Sequence, residues 1–211
     1  MSQEAPVRTP ARRRIQAAAM KLFAELGVTK VNVSELAAAA GMARGTIYSN
    51  VPDIDSLFEE VAAELVRDMV DRVMLGFVGV DDLAHQLSIG VRLYIRRAHE
   101  EPTWGRFMSR FALSTASLQA VLTSDPAVNL RAGMESGRYR IRPEQLPAMI
   151  GMLTGSTLAA MVPVLEGLAT WREVGSDTAE LLLVVLGVDR EEARTLARIE
   201  LPVLPVLQPA A

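Results

Sequence analysis

No cysteine occurs among the 211 residues, and histidine occurs twice, at His85 and His99. A disulfide framework and a thiolate metal site are therefore excluded. The two imidazoles sit near opposite ends of one predicted helix and cannot share a metal by themselves. Strand signals are equally scarce, because no run sustains apolar–polar alternation and no internal repeat is found. Behind the charged start MSQEAPVRTPARRR there is no apolar core of the kind a secretory leader needs, and the composition is not that of a transit peptide. The expected location is the cytoplasm. A nucleophile–base pair, a metal-ligand spacing and a phosphate-cradling glycine loop are also missing, so neither an enzyme nor a bound cofactor is expected.

Charge is absent from one long stretch, Leu146 to Leu165, which has about the length of a membrane span. Pro147, Pro163, Thr154, Ser156 and Thr157 interrupt it, and no basic flank marks an orientation. A buried helix is expected there, with no membrane partner.

What the chain has is apolar mass, 50% of its residues, enough for a substantial core. Its charge is divided unevenly. Residues 1–50 carry Arg8, Arg12, Arg13, Arg14, Lys21, Lys30 and Arg44 against three carboxylates, a balance of +4, which leaves −7 for the remainder. A basic head on an acidic body points to one phosphate-facing end.

From Ile15 the apolar residues Ile15, Ala18, Ala19, Leu22, Phe23 and Leu26 recur at helical spacing, and Gly27 stops the helix. Asn32, with Glu35 three positions later, forms a capping-box pattern that opens a second helix running to Gly41. A third short helix, Arg44 to about Asn50, has Ile47 as its anchor. Pro52 breaks the chain, and Asp53 is placed to cap a fourth helix bearing Ile54, Leu57, Phe58, Val61, Leu65, Met69 and Val73 on one face. Beyond Gly76 the pattern stays helical, with breaks expected at residues 79–82, 100–102, 124–126, 136–143 and 173–177. The expected fold is all-α, and its last elements are a capped helix from Asp189 and the proline-bearing LPVLPVLQPAA, an extended strap.

Two short helices joined by a tight glycine turn make a helix-turn-helix, whose second helix enters the major groove of double-stranded DNA. Ala37 and Ala40 permit a close crossing, and Arg44, Thr46, Tyr48, Ser49 and Asn50 face outward as one cation and four hydrogen-bonding groups. The stretches RRRIQAAAMKLFAELG and VNVSELAAAAGMARGTIYSNVPDIDSLF, continuous over Arg12 to Phe58, resemble the TetR (tetracycline repressor-like) transcriptional regulators. The resemblance implies phosphate contacts from Asn32, Thr46 and Tyr48, and base or groove contacts from Arg44, Gly45, Ser49 and Asn50. It also marks departures: Ala43 replaces a capping serine or threonine, Ile54 replaces a phosphate-directed lysine, and Val51 replaces a phenylalanine.

The resulting division is a flexible tail at 1–9, a DNA-binding unit at 10–53, a ligand-binding and dimerisation body at 54–188, and the terminal helix and tail at 189–211. Small residues one turn apart, Gly151, Gly155 and Ala159, allow close helix approach, and TAELLLVVLG at 178–187 is too apolar to stand exposed. The resemblance implies that these two helices join a homodimer. It also implies an effector cavity in the body, for which Trp104, Phe107, Met108, Phe111, Met134, Met149 and Met152 are candidate walls, although such residues are ordinarily core. The function expected is a ligand-responsive regulator, a repressor released from its operator by a small, largely apolar effector. A helical carrier or enzyme, with the N-terminal bundle as an interaction module, is the alternative.

Overall fold

The computed structural model describes residues 9–203, apart from the side chains of residues 116, 117, 120 and 121. The described residues form two compact units, 9–62 and 63–203. Among them every regular element is helical.

The head contains α1 (Pro10–Leu26), α2 (Val33–Ala40), α3 (Arg44–Asn50) and the first residues of α4 (Leu57–Gly76). Thr9, expected in the tail, is instead the N-cap of α1 and accepts from the Arg12 amide at 3.2 Å. Residues 1–8 lie outside the described part of the chain. Gly27 and Gly41 end α1 and α2 at φ +70° and +62°, in the left-handed region where a Cβ is costly. Asn32 and Glu35 complete the capping box in both directions. Ile15, Ala19, Phe23, Leu36, Ile47, Val51 and Leu57 bury the head's core, and Phe23 meets Phe58 edge-on at 5.1 Å between ring centroids. The start of α4 falls later than its sequence pattern predicts. The Asp53 carboxylate accepts from the Asp55 amide at 2.9 Å in a turn of its own, so the helix begins at Leu57.

The body is organised around α5 (Leu83–Glu100), against which α6 (Pro102–Phe111), α7 (Ala116–Glu135), α8 (Leu146–Leu165), α9 (Trp171–Val185) and α10 (Arg190–Arg198) all pack. A short 3₁₀ turn, Pro143–Gln145, leads into α8. Polar groups of α5 close other helix ends. Ser88 Oγ donates to the Leu196 carbonyl at 3.2 Å, and the buried Arg92 donates to that of Ile199 at 2.6 Å, so the last turn of α10 is satisfied from the core side. The later part of α4 is tied to α5 by ion pairs: Asp68 with Arg97, and Arg72 with Glu100 and Glu101 at 3.7 and 3.5 Å.

Two expected breaks are absent. Residues 173–177 belong to α9, because Thr170 caps that helix in a reciprocal box with Glu173 and starts it earlier than the apolar run. Residues 124–126 belong to α7, which carries Pro126 in its interior. A proline there cannot donate to the carbonyl four residues back, and that carbonyl, on Leu122, accepts instead from Thr154 Oγ1 of α8 at 3.4 Å. The breaks at 79–82, 100–102 and 136–143 occur, as does the Asp189-capped helix α10. Of the strap, residues 201–203 are irregular and the rest lies outside the described residues.

By length and composition α8 could cross a membrane. One face, with Met149, Leu153, Leu158, Met161 and Val164, is buried. Its neighbours are α5, α6, α7 and α9. The other face leaves Met152 and Val162 exposed.

Candidate functional site

In the head, the short helix α3 is held from beneath by Ile47 and Val51, both with no exposed surface. Arg44, Gly45, Tyr48 and Ser49 are exposed, Tyr48 by 59%, while Thr46 and Asn50 are half-buried. Ala43 provides no side-chain cap; the Thr46 amide donates to the Ala43 carbonyl at 3.0 Å, and the Arg44 and Gly45 amides have no partner among the described residues. Those amides and the positive end of the helix are suited to an anion such as a phosphate.

Three sequence-predicted contacts have internal work. Asn50 donates to the Thr46 carbonyl at 2.8 Å and accepts from the Thr9 hydroxyl at 3.1 Å, which makes it a brace between α3 and the start of α1. Asn32 uses its side-chain oxygen for the Glu35 amide at 2.8 Å. Ser49 is exposed and donates to the Thr46 carbonyl at 3.1 Å. Gly45 is different, because a Cβ built there meets nothing within 4 Å and its φ is not positive. Neither packing nor backbone conformation within the chain requires glycine at this position.

The basic cluster before α1 is also partly internal. Arg12 donates to the Asn50 carbonyl at 2.6 Å and pairs with Glu60 at 2.6 Å. Arg14 donates to the Ala40 carbonyl at 3.0 Å. Two guanidinium groups that the charge pattern assigned to a phosphate-facing end thus close the C-terminal ends of α3 and α2, where a cation suits the helix dipole. Lys30 pairs with Asp55 at 3.0 Å on the open surface. Arg44 remains exposed, with no ion pair among the described residues.

The body contains a largely apolar, partly open cavity of about 120 Å³ lined by α4, α5, α7 and α8. Val70, Val73 and Met74 of α4, Leu87 and Val91 of α5, and Leu153 and Leu158 of α8 form much of its wall. Pro126 and its neighbour Asp125 line it from α7. Tyr94 contributes the phenol of α5; burial, and then the charge of Asp125, raise its pKa above the ordinary value. A larger recess of about 460 Å³, bordered by Arg67 and Asp71, shares Val70 and Asp125 with the cavity.

The residues expected to line a ligand site lie elsewhere. Trp104, Phe107, Met108 and Phe111 form the buried stripe of α6, where Gly105 approaches Ala98 closely. They are core, and Trp104 meets the cavity wall through Tyr94, ring centroids 6.0 Å apart. Met149 is buried on α8, Met152 is 47% exposed on its opposite face, and Met134 is half-buried near the end of α7. None of the seven lines the cavity. Of the cavity-lining residues Tyr94, Asp125 and Thr154, which the sequence pattern does not single out as a site, only Asp125 falls in the SDP stretch, whose proline leaves the Leu122 carbonyl to the Thr154 hydroxyl of α8.

Residues 15–61 match the family described as bacterial regulatory proteins, tetR family, and residues 82–199 match the tetracyclin repressor-like C-terminal domain. The chain belongs to the TetR family. Among solved structures, RolR in complex with resorcinol is 27% identical, with a TM-score of 0.68 over 92% of this chain and 96% of that one. A tetR-family regulator from Shewanella sp. PV-4 is 20% identical, with a TM-score of 0.72 over 85% and 98%. FadR from Bacillus subtilis with stearoyl-CoA is 17% identical, with a TM-score of 0.68 over 81% and 97%. No curated protein matches. As a TetR-family member the chain is a DNA-binding transcriptional regulator with a ligand-binding body.

Proposed function

We propose that the chain is a repressor that binds a near-palindromic operator as a homodimer and leaves it when a small, largely apolar effector fills the cavity. The observation that carries the DNA reading is Gly45, a glycine with no internal reason, flanked by exposed Arg44, Tyr48 and Ser49. Close approach of backbone to a phosphate or a base edge supplies the reason that the fold does not.

Dimerisation is supported by small and exposed apolar residues on α8 and α9. Gly151 and Gly155 of α8 have open space where a Cβ would stand, Met152 and Val162 are exposed beside them, and on α9, packed against α8, Leu181 is 64% and Val185 46% exposed. Small residues at helical spacing, edged by large apolar ones, suit a second copy of the same two helices. Two α3 helices then reach successive major grooves, about 34–36 Å apart.

Effector size is supported by the cavity. An apolar cavity of about 150 Å³ takes a benzene ring, so the space here accords with a compact ligand such as the resorcinol of RolR rather than the stearoyl chain held by Bacillus subtilis FadR. The helix α4 begins in the head and carries cavity walls further along, so a ligand that prefers one setting of α4 shifts the population between two dimer geometries.

The test is Tyr48→Ala or Thr46→Ala, each measured for operator affinity and for oligomeric state. Lost DNA binding with the dimer intact is the expected result. Normal operator binding by both variants would remove α3 from the DNA-reading role.

A further inference from the structure

Most polar groups around the cavity are already engaged. Asn129 donates to the Leu83 carbonyl at 3.1 Å and accepts from the Tyr139 hydroxyl at 2.9 Å. The Gln86 amide donates to the Val80 carbonyl at 2.7 Å, which leaves one N–H and its oxygen, and Thr154 and Thr157 donate to backbone carbonyls of Leu122 and Leu153. Two groups differ. The Tyr94 hydroxyl has no hydrogen-bond partner among the described residues, and the Asp125 carboxylate has one distant donor, Ser124 Oγ at 3.5 Å.

A half-buried phenol without a protein partner has only the water that reaches the cavity to bond, and a polar ligand atom can take that water's place. An ionised carboxylate only accepts, so beside Asp125 the ligand must present a donor. It also faces like charge if it carries a carboxylate or phosphate near that end. The remaining wall is largely apolar, its other polar groups being engaged within the chain, and the volume admits about one ring.

We propose that Tyr94 and Asp125 form a hydroxyl-recognising clamp at one end of the cavity, and that the effector is a small uncharged ring bearing at least one hydroxyl group. The hydroxyl donates to the Asp125 carboxylate and accepts from the Tyr94 phenol, while Val73, Leu87 and Leu158 lie against the ring. Asp125 also borders the adjoining recess. This rests on the reading that the cavity is the effector site.

The full-length chain is titrated calorimetrically with resorcinol, phenol, toluene, benzylamine and hexanoate, and operator binding is followed in the same preparations. Resorcinol and phenol are expected to bind, toluene about tenfold or more weaker for the missing hydrogen bonds, and hexanoate not measurably. Tyr94→Phe and Asp125→Asn should each weaken phenol binding about tenfold and leave toluene unchanged. Should Tyr94→Phe fail to fold, Asp125→Asn at its exposed position decides alone. Equal affinity for toluene and phenol, or tighter binding of benzylamine than of phenol, overturns the clamp. Clamp-dependent phenol binding that never changes operator occupancy would leave the clamp standing and remove the effector step of the regulator reading. Operator binding that no hydroxylated ring disturbs, with no ring bound, does the reverse.

Discussion

Gly45 in the head and Gly133 in the body are both helical glycines, yet the fold needs only one of them. A Cβ at Gly133 would overlap the ring of Tyr139, whose hydroxyl holds Asn129 and whose amide donates to the Gly133 carbonyl at 2.9 Å. A Cβ at Gly45 meets nothing. The same contrast runs through the polar groups. In the head, Arg12, Arg14, Asn32 and Asn50 finish helix ends, and what remains outward is a small polar face. In the body, Arg92, Ser88 and Asp82 also finish helix ends, while Tyr94 and Asp125 stand beside a cavity largely uncommitted. Residues that a fold requires and residues that a partner requires can thus be separated by whether the chain itself accounts for them.

The largest effect is expected at Gly133→Ala, which should destabilise the body by about 3 kcal/mol because a buried ring must move. Chemical denaturation measures it, and a cost near zero would show that Tyr139 relocates freely. Next is Arg12→Ala, expected to cost about 2 kcal/mol through the lost charge-assisted bonds to the Asn50 carbonyl and Glu60. If Arg12 served DNA phosphate instead, stability would hold and the salt dependence of operator binding would fall by about one ion. Gly45→Ala inverts the comparison. It should stabilise α3 by roughly 0.5–1 kcal/mol, as alanine does in a helix, while operator affinity drops; unchanged affinity would leave Gly45 without a reason on either side.

The smallest effect is pH-dependent. Arg138 grips Asp82 through two bonds, at 2.7 and 3.0 Å, and this holds the Asp82 carboxyl below its ordinary pKa despite partial burial. Because the folded value lies below the unfolded one, the stabilisation is full above the ordinary carboxylate range, about 3.9, and is lost as pH falls through it toward the folded pKa. Burial lowers His85 as well, so the folded state resists its protonation and begins to lose stability below about pH 6.5. Asp82→Asn should flatten the lower window and His85→Gln the upper, read as urea midpoints across pH.

The head was legible because its signals are local. The Asn32–Glu35 box, the Gly27 and Gly41 stops and the Ile47 anchor each act within one turn, and each occurs where the pattern places it. What it concealed was the partner of each arginine, since the carbonyls that Arg12 and Arg14 close lie dozens of residues away in sequence. The body was legible as helices but not as a site. A buried stripe such as Trp104, Phe107, Met108 and Phe111 looks the same whether it faces a cavity or a neighbouring helix, and here it faces α5 and α8. Pro126 looks like a helix end in the sequence because its rescue by Thr154 comes from another helix. Thr170 moved the start of α9 forward because a cap outweighs a polar run.

The measurement that tests the account most directly is selection of duplexes from a random pool by the purified full-length protein, with the selected site bound again at two salt concentrations. The expected result is a near-palindromic consensus, half-sites about one helical turn apart, bound by a dimer with steep salt dependence. No enrichment at low salt, or enrichment without two-fold symmetry, would contradict it.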